Sequence, residues 1–431
     1  MKRKYKKIVA GICVWVVAIG TIINIPICIK AADSKDILQE VEDQNEMDGT
    51  ERGAVIYSGV YERTNWVIYE NGLLEVTGEG EMFDSSKKKK PDWCTYVENI
   101  TSAKVEVNGA ENLSYLFSGL INLEEVDLSK LDTSKATTME NMFYGCEQLL
   151  VVDMDYCNTA QVVNMKGMFE GCSGLEIANI SEFDTSCVKT MKSMFRGCQN
   201  LYILNLSNFN TEKVIDMSYM FAGCKRLSGI KFDNFKTENV TNMQYMFNDC
   251  SALYDVNFSA FCTEKVTNMA GMFKNCCNLE KIDLSNFNTE KVINMAGMFE
   301  NCCNLEKLNL SNFNTAKVKT MASMFKNCSD LDRINLSSFH TEKVTNMSSM
   351  FENCHDLEIL DLSSFNTVKV SNMKKMFGGY AHFRKILRTP KKTGKCTTSL
   401  GMNLWINSKG KVCRYLPKNA KKSITLKSID R

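Results

Sequence analysis

The sequence has very little histidine and very little proline. Its 431 residues include three histidines and four prolines. Histidine is the usual general base at neutral pH and the commonest metal ligand, so its scarcity leaves few candidates for either role. The sequence also contains no P-loop, no G-x-S-x-G motif and no H-E-x-x-H motif. These absences favour a binding protein over an enzyme, and we expect no catalytic residue, no metal and no cofactor.

A 26-residue repeat dominates the centre of the chain. Threonine recurs at this spacing ten times from Thr133 to Thr367, and methionines stand six and nine residues after each threonine. A phenylalanine follows the second methionine in every copy, from Phe143 to Phe377. None of the four prolines lies within residues 92–389, as a ladder of paired strands requires. Strict self-similarity at this period is typical of a solenoid.

Each copy predicts one strand and one helical return segment. Residues 279–287 have the pattern L-x-x-I-x-L-x-x-F, which is the strand pattern of leucine-rich repeats. The apolar residues of segment 292–299 gather on one side of a helix, and Thr289 stands at the N-cap position. We predict an α/β repeat solenoid, right-handed, with one parallel strand and one or two turns of α- or 3₁₀-helix per 26 residues. The phenylalanine column should stack inside it.

Two further columns follow each phenylalanine. At the second residue after it only Gly, Asn or Asp occurs, from Gly119 to Gly379, which predicts a backbone bend with positive φ. One residue further, cysteine occurs nine times from Cys146 to Cys354. Leu120 replaces it in the first, degenerate copy, so we interpret this column as core packing rather than metal ligation.

The remaining segments surround the repeat. Residues 1–31, with a basic start and an apolar run, are predicted to be a signal peptide, or alternatively an uncleaved anchor. Residues 32–53 form an acidic spacer, 54–110 a β-rich cap with a hairpin at Asn71-Gly72, 111–378 the solenoid, and 379–431 a C-terminal cap with a hairpin near residues 405–415. Cleavage removes six basic residues and lowers the net charge from +2 to about −4, which disfavours nucleic acid as a partner.

These features together resemble the BspA-like bacterial surface proteins with 26-residue leucine-rich repeats. The matching motif is N-M-x-x-M-F-x-[NG]-C-x-x-L-x-x-[IL]-[DN]-L-S-x-F-[ND]-T-x-x-V, clearest over residues 268–370, and segment 58–93 resembles that family's leader. Cys157 departs from the pattern, since phenylalanine is usual there. The resemblance implies secretion or cell-surface display and adhesin-like binding of host or neighbouring-cell proteins or glycans. It brings no catalytic residues.

One outward column of the strands changes character along the chain, whereas the core columns barely vary. We predict that it binds a partner through an apolar strip and a cationic strip. The apolar strip is Val151, Ile177 and Ile203, and the cationic strip is Lys281, Lys307 and Arg333. The alternatives are a structural or self-associating surface protein, or a calcium-dependent glycan binder that uses the Asp/Asn column containing Asp283. Hydrogen bonding along the sheet is the simpler use of that column.

Four cysteines outside the repeat column are candidates for disulfides in an exported chain. Cys396 and Cys413 flank the predicted C-terminal hairpin. Cys277 and Cys303 stand one full period apart, so they could pair across adjacent coils.

Overall fold

The computed structural model describes residues 52–83, 90–254, 256–379, 386–400 and 404–429. The predicted signal peptide, all but the end of the predicted acidic spacer, and His382 lie outside these residues. Across the described ranges, no helix is both long enough and apolar enough to span a membrane.

The N-terminal cap is a five-stranded sheet that runs directly into the first coil. Its strands, in pairing order, are β1 (Val55–Tyr61), β2 (Thr64–Tyr69), β3 (Leu73–Glu79), β4 (Ser102–Asn108) and β5 (Glu125–Asp127). The predicted hairpin joins β2 to β3, where Gly72 has a φ of 88° and Asn71 Oδ1 accepts a hydrogen bond from the Leu73 amide at 3.0 Å. Strands β2 and β3 pair antiparallel, whereas β3 with β4 and β4 with β5 pair parallel. The cap therefore supplies the first parallel edge on which the coils stack.

Most of the later coils contain one short strand, and these strands form parallel pairs with the strand of an adjacent coil. These strands are β6 (Val151–Asp153), β7 (Ile177–Asn179), β8 (Ile203–Asn205), β9 (Gly229–Lys231), β10 (Lys307–Asn309), β11 (Arg333–Asn335) and β12 (Ile359–Asp361). Paired residues are one period apart, as in Val151 with Ile177 and Lys307 with Arg333. This arrangement confirms the predicted repeat solenoid of one parallel strand per coil.

The return segments are built from turns, and the predicted helix is wrong. In the described part of residues 111–379 no return segment contains a helix. Alternate backbone amides from residue 295 to residue 301 donate to carbonyls of the next coil at 2.7–3.2 Å. A helix would use those amides for its own carbonyls. The neighbouring coil takes them instead, which creates a second parallel ladder with single-residue bridges such as Asn294 with Thr320.

Two positions per coil have positive φ, which also opposes a helix. The predicted Gly/Asn/Asp column is confirmed, with φ of 71° at Gly145 and 63° at Asn301. A second column four residues earlier was not predicted, and it accepts side chains as large as Tyr219 and Lys375, at φ of 60° and 57°. A left-handed residue every fourth position in this segment interrupts the continuous negative φ that a helix needs.

The threonine column links coils rather than capping helices. Thr289 Oγ1 donates to the carbonyl of Asn314 in the next coil at 3.0 Å, and the other nine threonines make the equivalent bond at 2.6–3.5 Å. All ten side chains are buried. The predicted N-cap role of Thr289 is therefore wrong, because no helix follows it and its hydroxyl satisfies a buried carbonyl of the neighbouring coil.

The phenylalanine column forms the centre of the core. The rings from Phe117 to Phe377 are fully buried and stack on one another with centroids 5.2–6.2 Å apart, as predicted. The nine column cysteines are also buried. Each Sγ donates to the carbonyl of the phenylalanine one coil earlier at 3.0–3.2 Å. Packing was predicted for this column, and the hydrogen bond is an addition from the structure.

The C-terminal cap continues the parallel ladder and then closes it. The last coil contributes β13 (Asn366–Thr367), and the strands of the cap are β14 (Ile386–Arg388), β15 (Lys392–Thr393), β16 (Leu404–Ile406), β17 (Val412–Cys413) and β18 (Thr425–Ile429). β14 pairs parallel with β12, and β18 then covers β14 in antiparallel register. β16 and β17 form the predicted hairpin. Cys396 and Cys413 are both free thiols that donate to separate backbone carbonyls, so the disulfide predicted between them is absent from the structure.

Candidate interaction surface on the strand face

The structure places the variable column where the strands begin, facing outward. Lys281, Lys307 and Arg333 of the cationic strip are all exposed. In the apolar strip, Val151 and Ile177 are half-buried and Ile203 is 47% exposed. Side chains at this column are therefore accessible to a partner from the solvent side.

The cationic strip lines a groove on this face. The groove has a volume of about 860 Å³, within the range of ordinary ligand sites. Its lining consists of Val256, Asn257, Phe258, Ser259, Lys281, Ile282, Asp283, Ser285, Asn286, Lys307, Leu308, Asn309, Arg333, Ile334 and Asn335. All three predicted cationic residues belong to it. The apolar strip lies in earlier coils, so the structure keeps the two predicted strips apart.

Part of the groove lies in two coils whose described residues form no strand. Strand β9 ends at Lys231 and β10 begins at Lys307. In the two coils between them, the described residues 256–258 and 281–284 form no strand. The next pair, β10 with β11, again shows regular parallel register. Lys281 therefore stands in a coil without a strand, whereas Lys307 and Arg333 begin the paired strands β10 and β11.

Two bulky rings occupy the core around this stretch, and they are the sequence signal that was missed. Phe232 and Phe258 occupy a core column that holds Leu, Ile or Met in the other coils. Phe258 is 2% exposed and packs edge-on against Phe247 and Phe273, with centroids 5.6 and 5.5 Å away. Added ring volume in a close-packed core displaces the neighbouring backbone. Phe232 directly follows the paired strand β9, so only the ring of Phe258 lies in a coil without a strand, and we attribute the missing strand of that coil to Phe258.

The groove carries an excess of positive charge. Among its lining residues, three side chains are cationic and only Asp283 is acidic. Hydrogen bonds from the Ser285 backbone amide and hydroxyl hold the pKa of Asp283 below its ordinary value, so it stays ionised at neutral pH. Arg333 lies 3.4 Å from its neighbour Asp332, but its side chain is 79% exposed, and such a surface ion pair is weak.

Amide side chains add hydrogen-bond donors beside the cations. The Oδ1 atoms of Asn257, Asn309 and Asn335 each accept the backbone amide of the serine two residues later, at 2.9–3.1 Å. That bond fixes each side chain through its oxygen, and the amide NH₂ of each side chain is a hydrogen-bond donor. Cations and amide donors together suit a partner rich in anionic or other acceptor oxygens.

The Asp/Asn column that could have bound calcium mainly closes local turns. Asp283 and Asp361 accept the backbone amide two residues later, as the groove asparagines do. Bonding along the sheet, the simpler use predicted for this column, is seen where Asn179 Nδ2 donates to Asp153 at 2.9 Å. In the part of the chain that is described, no three metal-ligating side chains come together.

Comparisons with known proteins identify a family for most of the solenoid without naming a function. The family model described as "Mycoplasma protein of unknown function, DUF285" matches residues 111–229, 216–308 and 272–390. A comparison with curated proteins found no match.

Two solved bacterial structures share limited similarity with the chain. A leucine-rich repeat protein from Eubacterium ventriosum is 18% identical, covers 70% of this chain and 95% of its own, and has a TM-score of 0.32. A leucine-rich cell surface protein from Faecalibacterium prausnitzii is 14% identical, with coverages of 74% and 94% and a TM-score of 0.32. TM-scores this low establish no shared fold, so the fold stands on the ladders described above.

Proposed function

Because this chain belongs to the family of Mycoplasma proteins of unknown function, DUF285, its role must be argued from its own surface. We propose that it is an exported interaction protein, secreted or displayed on the cell surface, and that it binds an anionic protein or glycan of a host or neighbouring cell in the groove of its strand face. The observation that carries this proposal is that the cationic strip and the groove coincide. Binding rather than catalysis is the proposed role.

The charge pattern favours an anionic partner. Lys307 and Arg333 are paired residues on neighbouring parallel strands, which lie about 4.8 Å apart, and Lys281 lines the same groove one coil earlier. Like charges at that spacing repel, and the repulsion lowers the stability of the free protein. A partner that presents several carboxylate or sulfate groups would relieve this repulsion while it binds. The excess of donors over acceptors in the groove supports the same class of ligand.

The proposed export rests on the sequence of residues 1–31, which lie outside the described structure. A basic start followed by an apolar run is typical of a signal peptide. The resemblance to BspA-like surface proteins supports the same location. Fractionation of cells that express the full chain tests this part: the mature protein should be found in the medium or on the surface, with residues 1–31 removed.

The binding test compares a variant that lacks the cationic strip with a matched control variant. The variant Lys281→Ser/Lys307→Ser/Arg333→Ser removes three charges from the groove. The control Lys291→Ser/Lys317→Ser/Lys343→Ser removes three exposed lysines at one-coil spacing from the adjoining return segments. Binding of a sulfated polysaccharide, a polyglutamate peptide and a neutral polysaccharide is measured by calorimetry at low and at physiological salt.

We expect the groove variant to bind the anionic probes roughly 3- to 150-fold more weakly at low salt, from about 0.2–1 kcal/mol for each of three exposed ion pairs. The difference should shrink at physiological salt because exposed charges are screened. The control should retain parental affinity. If the groove variant binds as well as the parent, or if both variants lose affinity equally, the groove is not the site.

Self-association is a second candidate, which the exposure of Ile203 in the apolar strip favours. Analytical ultracentrifugation of the parent and of Val151→Ser/Ile177→Ser/Ile203→Ser separates it from ligand binding. A parent that dimerises and a variant that stays monomeric would support a self-associating surface protein. A parent that is monomeric at high concentration would exclude it.

A further inference from the structure

Two half-buried cysteines stand at the same place in adjacent coils, next to the groove. Cys277 and Cys303 are one period apart and precede the groove residues Lys281 and Lys307 by four positions each. Both are free thiols with intermediate exposure, so the disulfide suggested between them by the sequence is not formed in the structure. Unlike the cysteines of the core column, they can be reached from solvent.

Their sulfur atoms converge on one carbonyl oxygen. Cys277 Sγ lies 3.4 Å from the Asn301 carbonyl oxygen, and Cys303 Sγ lies 3.6 Å from the same atom. The two sulfurs are therefore no further apart than the sum of these distances. The backbone amide of Asn304 donates to the Cys277 carbonyl at 3.2 Å, which holds the two segments side by side. Adjacent coils lie about 4.8 Å apart, within the Cα separation that a disulfide spans.

No other half-buried cysteine in the described residues has a cysteine one coil away. The neighbours of Cys187 in its column are Gln161 and Lys213, and Cys262 likewise lies between Lys236 and Asn288. The core-column cysteines do have cysteine neighbours, but each is fully buried and donates its thiol proton to a phenylalanine carbonyl. Cys277 and Cys303 are thus the accessible adjacent pair.

We propose that Cys277 and Cys303 form a reversible disulfide between their two coils when the protein meets a small-molecule disulfide. The bond would cross-link the coils that carry Lys281 and Lys307, the first of which contains no strand. It would hold those two cations at a fixed separation. This inference concerns the thiol pair alone and does not depend on a ligand in the groove.

The chemistry is two successive exchanges. One cysteine loses its proton, and its thiolate attacks a sulfur of the small disulfide. A mixed disulfide forms and one small thiolate leaves. The thiolate of the second cysteine then attacks the cysteine sulfur of that mixed disulfide and releases the second small thiolate. Both small thiolates take up the protons that the cysteines lost. The cysteine pair is oxidised by two electrons, and the small disulfide is reduced to two thiols.

Burial is the largest cause of the raised pKa of Cys303, and the neighbouring Cys277 thiol raises that pKa further. The thiolate of Cys303 is therefore scarce at neutral pH, and the exchange should quicken as the pH rises. A pH series of the oxidation rate on the folded protein is an independent check of this dependence.

The test treats the folded full chain with oxidised glutathione, blocks remaining thiols and digests with trypsin. The expected product is a cross-link between peptides 275–281 and 292–307, with the mass of two hydrogens lost. Because Cys276 and Cys302 share these peptides, the single variants Cys277→Ser and Cys303→Ser identify the sulfurs. Each should lose the cross-link and retain one glutathione adduct at the remaining cysteine. Cys262→Ser is the control and should keep the cross-link.

Circular dichroism shows that each variant is folded before the treatment. A cross-link that persists in Cys277→Ser would assign the bond to Cys276 and overturn the proposal. Two glutathione adducts on the parent without a cross-link, or complete alkylation of both residues after the treatment, would overturn it as well. Failure of the groove variant to lose ligand binding has no bearing on these masses, so the two proposals fail separately.

Discussion

Replacement of Phe299 by alanine should destabilise the centre of the solenoid strongly. The Phe299 ring is fully buried and stacks between Phe273 and Phe325, with centroids 5.7 and 5.9 Å away. A buried Phe→Ala change costs about 3–5 kcal/mol through lost burial and the cavity that remains. Phe117, the first ring of the column, stacks on only one column neighbour, Phe143, at 5.2 Å. Phe117→Ala should cost less by about 0.5–1.5 kcal/mol, the value of one aromatic pair.

Urea unfolding followed by far-ultraviolet circular dichroism measures these differences, and Phe299→Leu separates stacking from volume. Leucine fills most of the space but removes both aromatic pairs, so it should cost about 1–3 kcal/mol. Since each coil contacts only its neighbours, hydrogen exchange should quicken most in the coils beside Phe299 and least at the two caps. Equal costs for Phe299→Ala and Phe117→Ala, or a uniform increase in exchange, would refute the reasoning.

Four further changes test other features of the coil. Thr315→Val should cost about 1–3 kcal/mol in urea unfolding, because the amide and carbonyl of His340 both lose the hydroxyl partner; no loss would mean that water replaces it. Asn327→Ala should cost about 1–2 kcal/mol more than Asn327→Gly, because both remove the amide but only alanine is strained at a φ of 60°; equal costs would deny that strain. Phe258→Leu should restore a strand in its coil and slow amide exchange across the groove. Unchanged exchange would show that the Phe258 ring does not cause the missing strand. Burial raises the pKa of Cys354 from 9.0 to about 12. Its folded form therefore holds the proton more tightly, and its contribution is complete below pH 9 and lost as the pH rises towards 12. Because the other column thiols with raised pKa values act alike, the free energy of unfolding should fall by at least about 1.4 kcal/mol per pH unit in that window; a constant value would contradict it.

The features that follow from one repeated column or one local turn could be predicted from the sequence. The stacked phenylalanines follow from an apolar residue repeated without slip, and the bend at Asn301 follows from a column restricted to Gly, Asn and Asp. The hairpin at Asn71-Gly72 follows from turn chemistry alone. Each depends on the residue itself and on its immediate neighbours, and these are present in the sequence.

The hydrogen bonds to the adjacent coil could not be predicted in the same way. The spacing of apolar residues in segment 292–299 fits a helix, but the carbonyls of the next coil take the amides that a helix needs. For the same reason the hydroxyl of Thr289 reaches Asn314 instead of capping its own segment. The cationic strip could be predicted from strand alternation, whereas the groove beneath it could not. The groove depends on how the backbones of neighbouring coils stack around Phe258, which the residues of one coil do not determine.

The hydrogen bonds between adjacent coils also affect how the number of repeats in such a protein can change during evolution. The threonine hydroxyl of every coil reaches forward to the next coil, and the cysteine thiol of nearly every coil reaches back to the one before. All junctions in the array therefore have the same donors and acceptors. Loss or duplication of a whole 26-residue unit joins surfaces that already match, whereas a partial unit leaves buried polar groups unpaired. A gene of this kind can thus gain or lose coils by recombination, and the distance of the groove from either cap changes in steps of one coil.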